Sequence, residues 1–570
     1  MIKKLRLGTG LLVGGLLTSA LTALFYLGRQ AAGLPFVPFE LFDWMARVLP
    51  GPLITFGIDL MIDTLRLLGI SVVDTAKTAE RAMAILQFVA GGAVAGAIFF
   101  ALARWRQARP DWRVGLLAGA IFGLPAIIIS LTMTGSEVNP IVILLWLGTL
   151  LLIWGATLGW AFTRLARAEA QAAAVSTPAA DVPAEEEAPA AAEPVTATAE
   201  TSTVEKLDRR QFLIRFGAAT ATITVVSGGL ATVLASAEER RRQQAVEQAA
   251  AQATRQPGAP TPTPLPNANA EVMPVPGTRS EITPVEEHYQ VFIQTEPTVI
   301  DGSEWVLPIT GLVNNPLMLS IDDLRNNYER RDQFVTLSCI SGRIGTSLIS
   351  TTLWSGASVQ EVLADVGVQD AARYLHITSG DGFYETVDLE LINQDERIMF
   401  AYAWDDQPIP VDHGYPLRIW IPDRYGMKQP KWITGIEVID EYREGYWVER
   451  SWDRVARVKS TSVIDTVAVD QIIEREGQRL VPVGGIAFAG DRGISKVEVR
   501  VDGGSWQEAR LRQPLSGTTW VLWRYEWPFQ EGDHTFEVRC YEGDGTLQIL
   551  ESSGARPDGA TGIHSYEADL

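Results

Sequence analysis

The segment on which the chain is centred reads Thr336-Leu337-Ser338-Cys339-Ile340-Ser341-Gly342-Arg343-Ile344-Gly345. It continues a β-type run at 334–337, reaches the first of only two cysteines, and then enters a loop that contains glycine. Glycine lets a backbone approach a ligand closely, because it has no side chain to hold the ligand away. A thiol that ends a strand beside such a loop is suited to hold a soft metal ion or to meet an electrophile.

Length and composition exclude several classes of protein. A chain of 570 residues predicts several domains. The net charge of −20, with 68 acidic and 48 basic residues, argues against a nucleic-acid-binding protein. Cys339 and Cys540 cannot form a disulfide framework. The five histidines are far apart, and no C-x-x-C, C-x-x-C-H or H-x-x-x-H occurs. A zinc finger, covalently bound c-type haem or zincin site is therefore not expected.

The first 165 residues predict an α-helical membrane bundle. Its four apolar spans are predicted at 7–27, 85–103, 114–133 and 141–162. The first span also resembles a signal peptide, but the spans that follow favour a retained helix. We expect the loop at 104–113, which carries four arginines, to face the cytoplasm.

The segment at 51–70 is apolar but contains Asp59, Asp63 and Arg66. The basic N-terminal residues and the arginine-rich loop are both expected inside, so an even number of spans must separate them. The segment is therefore predicted to be an amphipathic helix on the outer surface. A tilted span with a paired Asp and Arg remains the alternative.

A second basic pair precedes a fifth apolar segment. Residues 166–207 are rich in Ala, Pro and Glu and predict a disordered linker. The sequence Asp208-Arg209-Arg210-Gln211-Phe212-Leu213 resembles a twin-arginine export signal and opens an anchor span at 208–237. The basic pair also fits the ordinary positive-inside bias, and Ala235-Ser236-Ala237 leaves cleavage open. A stalk and Pro-rich linker follow at 238–280, so the remaining chain is expected outside the cytoplasm.

The remaining chain predicts two further domains and a tail at 556–570. Residues 281–458 mix short strands and helices, which indicates an α+β domain. The stretch Ser320–Leu324 predicts an N-capped helix start, and 358–366 predicts a second short helix with one apolar face formed by Val359, Val362, Leu363 and Val366. Residues 459–555 alternate polar and apolar positions in strands, which predicts an all-β, Ig-like sandwich. Asp502-Gly503-Gly504 predicts a hairpin turn within it. Cys540 lies in one of these strands and is interpreted as a buried structural thiol.

Six motifs in order resemble the sulfite oxidase family, whose molybdopterin domain would span about 283–458 and whose dimerisation domain would follow. They are Gly311-Leu312-Val313-x-x-Pro316-Leu317, Ser338-Cys339-Ile340-Ser341, Leu353-Trp354-Ser355-Gly356, Ser379-Gly380-Asp381-Gly382-Phe383, His413-Gly414-Tyr415-Pro416-Leu417-Arg418 and Tyr425-Gly426-Met427-Lys428-Gln429-Pro430-Lys431-Trp432. The resemblance implies a molybdenum–molybdopterin cofactor with the Cys339 thiolate as its protein metal ligand.

The resemblance also implies which residues hold the pterin and its anionic end. Arg418 is suited to a bidentate phosphate contact, and Gly414 allows a close backbone approach. The predicted cofactor-binding residues are His288, Tyr289, Thr378, His413, Arg418, Gln429, Pro430 and Lys431. Asp381 is either a turn former or a functional acid.

Arg343 is the second predicted catalytic residue, because an arginine four positions after Cys339 is suited to bind a substrate oxyanion. A pterin-phosphate contact or a surface charge is the alternative. The chain departs from the family where Gly342 and Arg343 replace the usual residues, and where Val285 replaces an upstream Asn. These departures affect the substrate more than the cofactor.

The predicted function is a membrane-anchored, multi-pass oxidoreductase that transfers an oxygen atom to or from a sulfite-like or sulfoxide-like substrate. Its catalytic domain faces away from the cytoplasm, and its redox partner is a separate cytochrome or quinone-linked protein. A homodimer through the C-terminal domain is implied. The alternatives are a non-catalytic binding module that uses the Ig-like domain, and Cys–His hydrolysis by Cys339 with His376 or His413.

Overall fold

The computed structural model describes residues 7–49, 53, 56–57, 72–106, 110–133, 138–175, 209–254 and 265–570. The chain divides into two compact units, one of residues 1–48 and 78–246 and one of residues 49–77 and 247–570. Apart from residues 53, 56 and 57, the predicted surface helix at 51–70 lies outside the described residues, and so does most of the predicted linker at 166–207.

The first unit is helical. Its helices are α1 Leu7–Ala32, α2 Val37–Val48, α3 Val72–Trp105, α4 Trp112–Met133, α5 Pro140–Val175 and α6 Arg209–Thr254. The first residues of α3 and the last residues of α6 are assigned to the second unit. Within the described ranges, five stretches are long and apolar enough to cross a membrane: Leu7–Ala32, Lys77–Trp105, Trp112–Met133, Pro140–Arg167 and Arg210–Ser236. The predicted apolar segments are therefore helices. The short helix α2 was not predicted.

Glycines allow α4 and α5 to pack with their backbones close together. A Cβ atom added at Gly119 would lie 2.4 Å from the carbonyl oxygen of Leu151, and one added at Gly155 would lie 2.3 Å from that of Gly115. Small residues at four-residue spacing are a common way for membrane helices to associate. The glycine pattern therefore explains why these two helices are neighbours.

The first part of the second unit, from residue 307 to residue 439, contains ten strands in two sheets. The strands are β1 Leu307–Gly311, β2 Leu317–Leu319, β3 Arg331–Ser338, β4 Ile349–Ser358, β5 Tyr374–Ser379, β6 Tyr384–Asp388, β7 Met399–Trp404, β8 Gln407–Pro408, β9 Arg418–Trp420 and β10 Ile433–Ile439. One sheet has the order β2-β1-β10-β5-β6. The other has the order β3-β4-β7-β8, with β9 also paired to β7.

Three short helices pack beside these sheets: α7 Ile321–Asn326, α8 Val359–Val366 and α9 Leu389–Gln394. Ser320 begins α7 with a capping box, because its hydroxyl accepts from the Asp323 amide while Asp323 accepts from the Ser320 amide. In α8 the predicted apolar face, Val359, Val362, Leu363 and Val366, is buried. Both predicted helices are confirmed.

The C-terminal part is a β-sandwich. Its strands are β11 Thr461–Val467, β12 Ile473–Arg475, β13 Gln478–Phe488, β14 Ile494–Val501, β15 Gln507–Leu511, β16 Val521–Pro528, β17 Asp533–Glu542 and β18 His564–Asp569. Strand β15 pairs with both β14 and β16, so the strands form one continuous order, β11-β13-β16-β15-β14-β17-β18, with β12 on β13. The Ig-like description stays a prediction.

Two further features of the sandwich concern sequence predictions. Asp502 and Gly503 both have positive φ, 52° and 68°, between the antiparallel strands β14 and β15. This is the hairpin conformation that the Asp-Gly pair predicts. The segment 556–570, predicted as a tail, contributes β18, which pairs with β17 from Asp533 to Val538. It is therefore part of the sandwich.

Candidate functional site

Cys339 directly follows β3, and the backbone around it fixes a tight loop. Its amide donates to the Leu348 carbonyl (2.9 Å), and its carbonyl accepts from the Gly342 amide (3.0 Å). Gly345 has φ +77°, a conformation that favours glycine, as the chain turns toward β4. The thiol thus lies at a rigid strand end, as the sequence predicts.

The Cys339 side chain is buried, and its sulfur lies 3.1 Å from the Ser341 hydroxyl oxygen. Burial raises the pKa of the Cys339 thiol, while Ser341 and the nearby Lys431 act in the opposite direction. A thiolate here needs a compensating positive charge, which a metal ion would supply. Among the described residues, no group of three or more His, Cys, Asp and Glu side chains could hold a metal. A metal bound by Cys339 therefore needs further ligands from a cofactor.

Aromatic rings connect the neighbourhood of Cys339 to two buried histidines. Tyr289 belongs to the same buried apolar cluster as Cys339, and the His288 ring stacks on Tyr289 with centroids 5.3 Å apart. The rings of His288 and His413 are 5.0 Å apart, and both pack edge-on against Trp404 at 4.5 and 4.7 Å. The structure therefore brings three predicted cofactor residues together.

Two cations complete this group. Arg418 is buried, lies 4.5 Å from the Trp354 ring centroid, and donates from one guanidinium nitrogen to the His413 carbonyl at 3.0 Å. Lys431 is partly buried, and its ammonium lies 4.6 Å from the Trp432 ring centroid. We call His288, Tyr289, His413, Arg418 and Lys431 the cationic cluster.

The electrostatics of the cationic cluster favour an anionic ligand. Burial lowers the pKa of Lys431 to about 7, with Arg418 adding to the effect and Asp381 and Asp412 opposing it. Burial also lowers the pKa of Arg418 to about 10 and that of His288 to about 3. Removing cations from water is costly unless an opposite charge compensates. A bound phosphate would provide that charge.

Two buried nitrogens of the cationic cluster have no hydrogen-bond partner within the protein: Nε2 of His288 and Nε of Arg418. Buried polar atoms are almost always satisfied, so such atoms indicate a ligand or ordered water. Together with the buried guanidinium of Arg418 and the ammonium of Lys431, they fit a polar, anionic group such as a pterin phosphate. The residues present therefore suit the cofactor that the sequence predicts.

The loop that carries Lys431 is held by its neighbours. Gln429 is buried, and its amide nitrogen donates to the carbonyls of Arg424 (2.8 Å) and Ile421 (3.3 Å). The Pro430 carbonyl accepts from the Ile419 amide (3.1 Å). Gly414 has φ +116°, and a Cβ atom there would lie 2.9 Å from that of Lys431. The loop and Gly414 together fix where the Lys431 ammonium lies.

Other predicted residues lie elsewhere. Thr378 is exposed on β5, and its hydroxyl donates to the Gly435 carbonyl (3.3 Å) in the sheet that does not carry Cys339. The Asp381 carboxylate accepts from the Phe383 amide (2.9 Å), as a turn former does. The His376 ring contacts Thr386 and Tyr384. These contacts do not bring Thr378 or His376 into the cationic cluster.

Arg343 is exposed and lines a pocket together with Cys339. The pocket also takes in Tyr425 and Lys459, which the sequence analysis did not select. Tyr425 stands in one of the six motifs, and that signal could have identified it. Lys459 carried no signal, because its position at the pocket depends on how two domains pack.

The family models match the two parts of the second unit. Residues 294–447 match the model described as "Oxidoreductase molybdopterin binding domain", and residues 453–550 match "Mo-co oxidoreductase dimerisation domain". The chain belongs to the sulfite oxidase family of molybdopterin-dependent oxidoreductases. The predicted cofactor and the predicted enzyme class are confirmed.

Relatives of this sulfite oxidase family member come from several kingdoms. Human mitochondrial sulfite oxidase is 27% identical over 316 residues, covering 48% of this chain and 58% of the relative. A barley nitrate reductase [NADH] is 27% identical over 306 residues, covering 43% and 33%. The crystal structure of the sulfane dehydrogenase SoxCD from Paracoccus pantotrophus is 19% identical, with a TM-score of 0.45, covering 54% of this chain and 86% of that one. The chain thus spans little more than half the length of the human enzyme.

When bound, the molybdenum cofactor supplies oxygen-atom transfer and two-electron redox chemistry. In this chain the Cys339 thiolate would bind its metal, and Arg418, Lys431 and the two buried histidines would hold its anionic end. Ser341 would orient the thiolate through its hydroxyl. The buried rings of Trp354 and Trp404 would keep water from the cofactor.

Proposed function

We propose that this oxidoreductase oxidises a small sulfur oxyanion such as sulfite. For sulfite, water supplies the oxygen and the balance is SO₃²⁻ + H₂O → SO₄²⁻ + 2H⁺ + 2e⁻. The observation that supports this substrate class is the pocket shared by Cys339 and Arg343, whose lining residues include no carboxylate. An anion is favoured where guanidinium donors are present and acidic groups are absent.

Different side chains bind the substrate and the cofactor. The Arg343 guanidinium is suited to bind the substrate oxygens beside the metal-binding thiol. The cationic cluster binds the cofactor, so the two anions occupy different groups of cations. This separation lets substrate enter and product leave while the cofactor stays bound.

The two electrons leave to a separate one-electron carrier, a cytochrome or a quinone-linked protein. The sequence contains no C-x-x-C-H motif, so covalently bound c-type haem within it is not expected to accept these electrons. The dimerisation-domain match at 453–550 supports a homodimer.

The enzyme is anchored in a membrane, with its catalytic part on the extracytoplasmic side. The arginine-rich loop after α3 favours the cytoplasm, and α4 and α5 return the chain to that side. The apolar stretch Arg210–Ser236 then carries the chain outward. The twin-arginine-like sequence before it agrees with this direction.

The test uses full-length protein purified in detergent from a host that makes the cofactor. Elemental analysis is expected to find molybdenum, and sulfite is expected to reduce ferricyanide. Cys339→Ser should lose molybdenum and activity, whereas the buried thiol control Cys540→Ser should retain both. Sulfite oxidation by a molybdenum-free wild type, or unchanged turnover in Cys339→Ser, would overturn the proposal.

The direction of oxygen transfer is tested in the same preparation. Reduced enzyme is supplied with a sulfoxide or with nitrate, since the barley relative is named as a nitrate reductase. We expect faster turnover with sulfite. Preference for either oxidised substrate would reassign the pocket to reduction.

A further inference from the structure

The pocket at Cys339 is lined by residues from distant parts of the chain. The loop after β3 supplies Cys339 and Arg343, the start of the sandwich supplies Lys459, and the segment before β18 supplies Ala560. The two domains therefore close the pocket together. Arg343 and Lys459 are its two charged lining residues, and both are cations.

Lys459 already has an anionic partner at the edge of the pocket. Its ammonium lies 2.7 Å from a carboxylate oxygen of Asp558, with 28% of the lysine side chain and 47% of the aspartate side chain exposed. Asp558 is not among the pocket-lining residues. The carboxylate is thus placed to compete with an anion that enters the pocket.

Backbone contacts hold both partners in position. The Lys459 amide donates to the Tyr425 hydroxyl (3.0 Å), which ties Lys459 to another pocket residue. A Cβ atom added at Gly559 would lie 2.4 Å from that same hydroxyl oxygen, so the segment around Asp558 packs directly on Tyr425. The Pro557 carbonyl accepts from the Asp453 amide at 3.0 Å. The backbone that carries each partner is therefore held in place beside the pocket.

We propose that Lys459 is the second substrate-binding cation of the pocket and that Asp558 limits its affinity for anions. This inference rests on the proposed function, because it assigns the substrate anion to the pocket at Cys339. Substrate oxygens bind between Arg343 and Lys459, and the Lys459 ammonium exchanges the Asp558 carboxylate for the substrate. The sandwich thereby supplies a specificity-determining residue as well as a dimerisation surface.

Substitutions of Lys459 and Asp558 should change the KM of the molybdenum-loaded enzyme for sulfite in opposite directions. Lys459→Gln should raise the KM for sulfite about tenfold or more with little change in kcat, because a charge-assisted hydrogen bond to the substrate is lost. Asp558→Asn should lower the KM about two- to fivefold, since an exposed ion pair competes only modestly. The control is Lys496→Gln, which breaks the Lys496–Glu498 pair (2.9 Å) on β14 of the same domain.

Sulfate, which is not turned over, provides a second readout by calorimetric titration of loaded enzyme. Its Kd should rise in Lys459→Gln, fall in Asp558→Asn and stay unchanged in the control. If sulfite is oxidised but neither variant changes the KM or the sulfate Kd, this inference is overturned and the proposed function stands. If sulfite is not oxidised while sulfate binding changes as expected, the proposed function fails and the anion site stands. Equal molybdenum content in all variants confirms that they fold.

Discussion

Two lysines three residues apart show how position, more than sequence, decides what a charge does. The Lys428 ammonium is buried and donates to the Glu385 carboxylate (2.6 Å) and to the Thr386 carbonyl (3.2 Å). The Lys431 ammonium belongs to the cationic cluster and donates a long hydrogen bond to the Asp412 carbonyl (3.4 Å). The first lysine therefore stabilises the fold, and the second remains suited to a ligand.

Because the Lys428–Glu385 pair is buried, removing only one partner should cause a large loss of stability. Glu385→Gln should lower the free energy of unfolding by about 3–5 kcal/mol, because it leaves a buried ammonium uncompensated. The double variant Glu385→Leu/Lys428→Met should recover much of that loss. Thermal unfolding measures both, with Glu437→Gln in the exposed Arg443–Glu437 pair as the control. A double variant less stable than the single one would contradict this expectation.

The lowered pKa of Lys431 predicts that the stability of the cofactor-free protein depends on pH. Its folded pKa of about 7 lies below its ordinary value of 10.5, so between these pH values the unfolded chain binds more protons. The contribution of Lys431 to the free energy of unfolding therefore rises as the pH increases above about 7, and it is smallest below that pH. Lys431→Met removes the buried charge and should be more stable than the wild type at pH 6, with a smaller difference at pH 9. A difference in melting temperature that does not change with pH would contradict this.

At the scale of elements, local sequence predicted most of what the structure contains. Alternation predicted β14, the Ser320 cap predicted α7, and the Asp502-Gly503 pair predicted a hairpin, because each signal acts over a few residues. Motifs drew attention to His413, Arg418 and Lys431, which lie together in the cationic cluster. His288 and Tyr289 lie outside those motifs and were named from the family resemblance alone. Thr378 was expected at the cofactor, yet its hydroxyl donates to the Gly435 carbonyl in the sheet that does not carry Cys339. Lys459 was missed because no local pattern shows which loops meet across a domain boundary.

Close packing of α4 on α5 gives the element-scale prediction. A valine at Gly119 would bring its Cβ within 2.4 Å of the Leu151 carbonyl oxygen, so the helices must separate. We expect Gly119→Val to destabilise the bundle by about 1–3 kcal/mol, as overpacking does. Gly148→Val on α5 is the matched control, since a Cβ atom there meets no atom within 4 Å. Equal melting temperatures of the two variants in detergent would contradict the packing argument.

At the scale of the whole molecule, the main prediction concerns which side of the membrane each part faces. Both native cysteines are buried, so single exposed cysteines can be introduced as reporters. Ser505→Cys lies in the exposed hairpin after β14, and Arg106→Cys lies at the cytoplasmic loop predicted after α3. A membrane-impermeant maleimide should label the first in intact cells and the second only after permeabilisation. Labelling of Arg106→Cys in intact cells would reverse the proposed orientation.

Because the pocket is lined by residues far apart in the chain, its walls are synthesised at different times. A ribosome that adds about 5–20 residues per second would synthesise Ala560 roughly 10–40 s after Cys339. During that interval the strand that carries the thiol exists while the wall contributed by Lys459 and Ala560 does not. A nascent chain therefore passes through a stage with an uncovered thiol, which is open to oxidation as well as to metal.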